Sequence, residues 1–456
     1  MHRLPLLFLL PLLACTAPAG SDAGQAPPAV VAGPMLGHLE ARRARLWIQV
    51  ARPALLGLRY REEGETSWRR PRTCDGRRLS TWALPEGHGT AVLDLPGLEA
   101  ERSWECQVVA LEEGEERPLA ALAFRTPPPA GIPEAFRVAF GSCAGSSGTD
   151  PAQPVWRGIA RTRPDLFLWL GDNVYYEVAS REWNDPEAMF ARWRRQRSLP
   201  LLQPVLGAMA HYAIWDDHDY GPDNSDKTWR LRDESLFVFR SFWANPASGS
   251  EGVPGVWFSF QRGRVEFLML DTRYHRDPDT DLDDGGKSLL GAAQRAWLER
   301  RLKASRADFK VIVSGTQVLA RYHGYESWDL YPRDRDFLLG LIRRERIGGV
   351  LFLSGDRHQG EVLRWLPPEV PYPLYEFTSS PLAARVHRPE SEPEAPERLP
   401  GSLVRQEHFG FLSFQPREGG TELRFEARDL EGRPIPGTDV VLDSRELQAP
   451  AREPGG

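Results

Sequence analysis

The chain has 456 residues, long enough for more than one domain with a large core in at least one of them. Its 57 basic and 63 acidic side chains nearly cancel, to a net charge of −6, so it lacks the basic excess that would mark nucleic acid as the main partner. Its 15 tryptophans and 40 prolines suit a rigid, loop-rich, β-containing exterior but name no function.

Residues 1–15 form a targeting segment outside the fold. Leu4 to Leu13 is apolar apart from Pro5 and Pro11, and too short to span a bilayer, which takes about 20 residues. It closes on Leu12-Leu13-Ala14-Cys15, which resembles the bacterial lipoprotein signal, where the cysteine is lipidated and becomes the mature N-terminus. An ordinary cleaved signal peptide is the alternative. Residues 16–32 then read as a Ser/Gly/Ala/Pro-rich flexible linker. Both readings predict export from a bacterial cell. The first adds a membrane tether at Cys15; otherwise the protein is periplasmic or extracellular.

From residue 33 to 126 short alternating strands predict a small β-sandwich: Ala44 to Val50, Leu55 to Tyr60 and Ser103 to Val109. Leu98-Glu-Ala-Glu-Arg-Ser-Trp104 resembles the corner of fibronectin type III domains, with Trp104 where a tyrosine is usual. Phe124 to Pro129 reads as a last strand entering a stiff linker. Cys74 and Cys106 either pair, as an oxidising compartment permits, or stand apart as small core residues. Cys143 is then left unpaired, and a lone thiol in an exported protein calls for burial or a metal.

From residue 136 to 442 strands alternate with helices, predicting an α/β organisation. The strands are Val138 to Cys143, Asp165 to Leu170, His211 to Trp215, Val265 to Leu270, Phe309 to Val313 and Val350 to Leu353. Amphipathic helices run over Pro186 to Arg195 and Leu289 to Leu302, and strands return after Arg364. Pro389 to Pro400 reads as an acidic, Pro-rich surface loop or disorder, and residues 443–456 as a frayed tail.

Four of these strands end in clusters of metal-binding side chains: Phe140-Gly-Ser-Cys143, Leu170-Gly-Asp-Asn-Val-Tyr175, Trp215-Asp-Asp-His-Asp219 and Ser354-Gly-Asp-Arg-His358. In an α/β sheet the carboxyl ends of neighbouring strands face one crevice. A thiol, a phenol, carboxylates and imidazoles gathered there predict a polynuclear metal site and metal-assisted hydrolysis, most plainly of a phosphate ester.

With Leu270-Asp271-Thr-Arg273 and Ser314-Gly-Thr-Gln317 in order between them, these motifs resemble the PhoD-like alkaline phosphatases, a branch of the calcineurin-like metallophosphoesterases. The resemblance covers about residues 33–442. It implies a β-sandwich flanked by helices behind a fibronectin/Ig-like domain. It also implies Fe(III) held by thiolate and phenolate, with Ca2+ beside it. Cys143 and Tyr175 ionise to become good ligands, which a trivalent iron can drive. Asp172, Asp217 and Asp356 offer the hard oxygens calcium prefers. By the resemblance Asp172 bridges two metals. Asp217 stands where related enzymes carry asparagine and Asp356 where they carry histidine, while His358 keeps the last imidazole. His218 is the expected proton donor or charge stabiliser, oriented by Asp217 and Asp219. Arg357 contacts a phosphate oxygen or a supporting carboxylate.

Asp271 and Arg273 read as a structural ion pair, and Asn173 and Asp216 as further calcium ligands. His211, His275 and His323 read as surface or packing residues. The expected reaction is in-line attack of metal-activated water on phosphate monoesters or diesters, with no protein partner evident. A surface module that binds a glycan or protein around a structural metal is the alternative.

Overall fold

The computed structural model describes residues 26–145, 152–283, 285–368, 370–388 and 394–449. The leader at residues 1–15, the linker up to residue 25, and residues 389–393 and 450–456 lie outside the described residues.

Seven strands open the fold: β1 (Val30–Glu40), β2 (Arg43–Val50), β3 (Ala54–Glu62), β4 (Ser80–Ala83), β5 (Thr90–Pro96), β6 (Ser103–Glu112) and β7 (Glu115–Arg125). They form one sheet in the order β1-β2-β5 and a second in the order β4-β3-β6-β7, the three-plus-four sandwich of a fibronectin-like domain. Trp104 closes the expected corner, its indole N–H 3.4 Å from the Thr126 hydroxyl, which itself donates to the Glu99 carbonyl at 2.6 Å. Both cysteines are free: Cys106 is a buried core residue opposite Tyr60, as the unpaired alternative expected, whereas Cys74 is exposed on a turn and not part of the core. The expected linker also ends early, because β1 begins at Val30 and Ala32 is already buried.

β2 is buried on both faces because its outer face docks on the rest of the chain. The Trp47 indole donates to the Ser241 carbonyl at 2.7 Å, and the His38 N–H donates to the Ala244 carbonyl at 2.9 Å. At this seam a Cβ on Gly37 would lie 2.4 Å from the Ala244 Cβ and 2.6 Å from its carbonyl oxygen. Gly37→Ala is therefore expected to destabilise the protein by about 1–3 kcal/mol, the usual cost of overpacking. A urea midpoint unchanged from the parent would contradict so tight a seam.

The remaining elements are β8 (Phe136–Gly141), α1 (Val155–Thr162), β9 (Leu166–Leu170), α2 (Pro186–Arg197), α3 (Gln203–Leu206), β10 (Ala210–Ile214), α4 (Asp217–Tyr220), α5 (Arg232–Ser241), β11 (Phe258–Arg262), β12 (Val265–Met269), α6 (Gly291–Ala304), β13 (Phe309–Val313), α7 (Pro332–Arg344), β14 (Val350–Ser354), β15 (Glu361–Trp365), β16 (Leu374–Thr378), β17 (Phe409–Arg417), β18 (Gly420–Arg428) and β19 (Val440–Asp443). They build two six-stranded mixed sheets, ordered β10-β9-β8-β17-β18-β19 and β11-β12-β13-β14-β16-β15. The sheets pack face to face through phenylalanines. Phe136 and Phe414 of the first meet Phe267 and Phe309 of the second, and Phe377 lies 4.4 Å from Phe425.

In the first sheet β10, β9 and β8 run parallel along one side, and in the second the four central strands β12-β13-β14-β16 run parallel. Their carboxyl ends therefore open on the same edge of the sandwich. The tail departs from expectation: Leu447 is buried and its carbonyl accepts from Gly349 N–H, so the chain packs at least that far. Among the described residues no helix is long and apolar enough to cross a membrane.

Candidate metal centre

Three of the four motifs leave their strands through a strained turn. Cys143, Asp172, Asp356 and His358 all adopt positive φ, between 51° and 66°, which costs a residue with a Cβ about 1–2 kcal/mol. Strain of this kind persists where the surroundings over-determine it. Gly171 shows the crowding directly. At φ 103° its missing Cβ would sit 2.5 Å from the Asp216 Cβ, so no other residue lets the Asp172 turn lie against the Asp216 turn.

Cys143, Asp172 and His358 bring one ligand atom each within 4.8 Å of one another, and so do Asp172, Asp217 and His218. Asp172 belongs to both groups. The Tyr175 hydroxyl joins the first group, donating to Asp172 Oδ2 at 3.0 Å and meeting His358 Nε2 at 3.0 Å. His358 Nδ1 lies 2.6 Å from the Arg385 carbonyl, a contact that places the proton there and leaves Nε2 as the ligand atom.

Sequence reasoning overlooked the two serines that support the thiol. Ser142 and Ser380 hydroxyls lie 3.3 and 3.1 Å from Cys143 Sγ, and Ser380 also accepts from His358 N–H at 2.9 Å. Ser142 was visible in the first motif, and Ser380 at the end of β16 as Thr378-Ser-Ser380.

Electrostatics show what these groups lack. Burial, then the neighbouring Asp217 and Cys143, push Asp172 well above the usual carboxylate range. Burial pushes Tyr175 well up and Cys143 up to about 12, helped by Asp172 and Asp356 respectively. Asp356, which belongs to neither group, is pushed up to about 8 by burial and by Asp216, Glu326 and Asp217. Asp217 is the exception: burial works against its charge, but His218, Arg273 and the Asn224 N–H hold it below the ordinary range. Two buried oxygens, Asn173 Oδ1 and Asp216 Oδ2, accept no hydrogen bond from the described residues. A crowd of acids with so little positive charge fits cations, which invert these shifts and meet the orphaned oxygens.

The run Asp216 to Asp219 divides its labour differently from expectation. Asp216 caps α4 and Asp219, three residues on, bonds back to the Asp216 N–H, forming a reciprocal capping box. Asp219 also accepts from Asn173 and from Val174 N–H, so it faces the interior and does not orient His218. His218 instead lies against Tyr175, ring centroids 4.3 Å apart, with Nε2 3.7 Å from Asp223.

The expected side-chain pair of Asp271 with Arg273 does not form. Asp271 takes the indole of Trp215 and the main-chain N–H groups of Val256, Arg273 and Tyr274, fixing a turn. The Arg273 guanidinium reaches Asp216 and grips Glu326 at 2.8 and 2.6 Å. His211, His275 and His323 are packing residues bonded away from the centre, to Val205, Pro254 and Gln317 respectively.

The sandwich of mixed sheets, its flanking helices and a carboxylate-rich centre at the strand ends define a calcineurin-like metallophosphoesterase fold. A solved PhoD structure aligns over 92% of this chain and 92% of its own, with TM-score 0.72 at 16% identity. A purple acid phosphatase from yellow lupin (Lupinus luteus) seeds covers 94% of this chain and 78% of its own, with TM-score 0.69 at 12% identity. The chain belongs to the PhoD-like phosphatase family, whose family model matches residues 138–433. Alkaline phosphatase D of Bacillus subtilis (strain 168) is 25% identical over 279 residues. That stretch is 51% of this chain and 47% of the relative, so the match spans just under half of the relative's length.

Proposed function

We propose that this protein is an exported, metal-dependent hydrolase of phosphoric esters, acting on monoesters, diesters or both. The observation that carries the reading is the single carboxylate, Asp172, shared by two ligand groups on the floor of a cavity of about 1030 Å³. Family membership supports the reaction class.

Cys143, Tyr175, His358 and Asp172 would hold the more strongly Lewis-acidic cation, taken as Fe(III), which favours ionised thiol and phenol. Asp172, Asp217 and Asp356 would hold Ca2+ through oxygen. When bound, such cations supply Lewis acidity toward the phosphoryl oxygens and toward water. The chain's own residues do the rest. Arg357 lines the same cavity beside Asp356 and His358, and neutralises charge on a phosphoryl oxygen. His218, on the cavity wall next to Asp217, gives a proton to the departing alkoxide.

Export rests on the sequence of residues 1–15, and the membrane tether on Cys15. Incorporation of labelled fatty acid in a bacterial host, lost in Cys15→Ala, tests the tether.

His218→Asn is expected to keep its metal and lose about two to four orders of magnitude in turnover, the scale of a positioned proton-transfer group. A matching loss of metal would make His218 a ligand of the Asp172–Asp217 group instead. The reaction itself is tested on the protein lacking residues 1–15, with a chromogenic monoester and its diester at alkaline pH. Turnover abolished by chelation and restored by iron or calcium is expected. A folded, metal-loaded sample inert on both esters would overturn the assignment.

A further inference from the structure

The cavity over the centre is larger than a phosphoryl group needs. Its volume of about 1030 Å³ sits at the top of the range of about 300–1,000 Å³ typical of pockets that enclose drug-sized organic ligands. Most of it must accommodate the alcohol portion of the ester. Its walls are largely charged or polar, with Asp223, Asp279, Arg357, Arg385 and Arg388 among the lining residues.

Among the described lining residues Tyr325 is the one tyrosine, tryptophan or phenylalanine, and it is 49% exposed. The Arg357 guanidinium lies over one ring face, 4.5 Å from the centroid, and Arg357 directly follows Asp356 and precedes His358. The ring therefore stands one side chain away from the ligand groups. The His387 imidazole meets it at 85°, centroids 5.4 Å apart, and closes that end of the wall.

The loop that carries the ring is anchored on both sides. Tyr325 N–H donates to His323 Nδ1 at 3.2 Å, and the next residue, Glu326, is buried and gripped by Arg273. An aromatic ring held half in water on an anchored loop presents a flat apolar surface beside the reacting position. Were its task only to cover Arg357, a flexible aliphatic side chain would serve as well.

We infer that Tyr325 is the shelf on which the alcohol portion of the ester lies, selecting esters of flat aromatic or heteroaromatic alcohols. This rests on the reading of the centre as a phosphoric-ester hydrolase. Stacking on a protein aromatic is sequence-tolerant for flat rings and changes affinity by about tenfold or more.

The test uses the metal-loaded full chain and three variants, Tyr325→Ala, Tyr325→Leu and Tyr325→Phe. Calorimetric titration with phenylphosphonate and methylphosphonate reads binding without turnover. The parent and Tyr325→Phe are expected to bind the phenyl compound about tenfold more tightly than the methyl one. In Tyr325→Ala and Tyr325→Leu the two affinities become equal. In parallel, both ring-free variants are expected to raise KM for phenyl phosphate about tenfold more than KM for glycerol phosphate.

Discrimination that survives loss of the ring, or an equal loss on both probes, overturns the shelf and leaves the hydrolase reading intact. A parent that hydrolyses neither ester overturns the hydrolase reading, and the shelf with it.

Discussion

Asp172→Asn is expected to lose bound metal and turnover together. The substitution keeps the side chain's shape, so the change is one of ligand chemistry. Asp172 Oδ2 accepts from Tyr175 at 3.0 Å and lies 3.5 Å from Cys143 Sγ, while Oδ1 accepts from His218 N–H at 3.3 Å. One carboxylate thus faces both ligand groups, and no neighbour can replace it in both. Loss of a partner outside the ligand shell typically costs 10–100-fold in metal affinity, and loss of a shared ligand should exceed about 100-fold. Metal content by mass spectrometry and turnover on the same sample are the measurements. An asparagine variant with normal metal and normal turnover removes Asp172 from the centre.

The same variant carries a second, opposite expectation. In the metal-free protein, burial and then Asp217 raise the folded-state affinity of Asp172 for its proton. An acid whose folded pKa lies above its unfolded one opposes folding once the pH exceeds the unfolded value. Removing that charge should leave the chelated variant at least as resistant to urea as the chelated parent at neutral pH. A defect confined to the metal-loaded state separates lost coordination from lost structure.

Arg273→Met is expected to be among the most destabilising single changes in the molecule. The guanidinium is fully buried, reaches Asp216, grips Glu326 with two hydrogen bonds and lies 3.8 Å from Asp217. Methionine fills the volume of the stem but leaves Asp216 without its counter-ion and Glu326 with Arg276 alone. Breaking a buried pair by removing one partner costs about 3–5 kcal/mol. Arg273→Lys should recover little, because an ammonium cannot present the fork that joins Asp216 to Glu326. Denaturant midpoints measure the loss. Metal content should fall too, since Asp216 begins the turn that carries Asp217. A midpoint within experimental error of the parent would show that the network is dispensable.

Much of this was legible before the fold was known, for a definite reason. Strands buried on both faces read as short apolar runs, and all six expected in the larger region lie within two residues of the observed ends. The polar clusters after them could only be surface loops or a site. Their chemical types, with two residues that must ionise to bind, pointed to cations. Less legible was anything set by the direction of a side chain. Ser380 lies 237 residues from Cys143 in the chain, yet its hydroxyl is 3.1 Å from the sulfur. Arg273 sits beside Asp271 in sequence but spans outward to Glu326, because the Asp271 carboxylate is already filled by main-chain donors.

The donors, their order along the chain and their place just after short apolar strands follow from residue types read in order. The pairing of those strands then forces their loops to one edge, whatever the details of packing. Which donors face the centre is a matter of how the chain packs. Asp216, Asp217 and Asp219 are the same residue type within four positions, and composition cannot separate them. The short helix α4 turns successive side chains by about 100°, sending Asp217 and His218 into the cavity while Asp216 and Asp219 close its first turn. Burial then decides the charge each can carry, a property of the assembled surroundings and not of any residue alone.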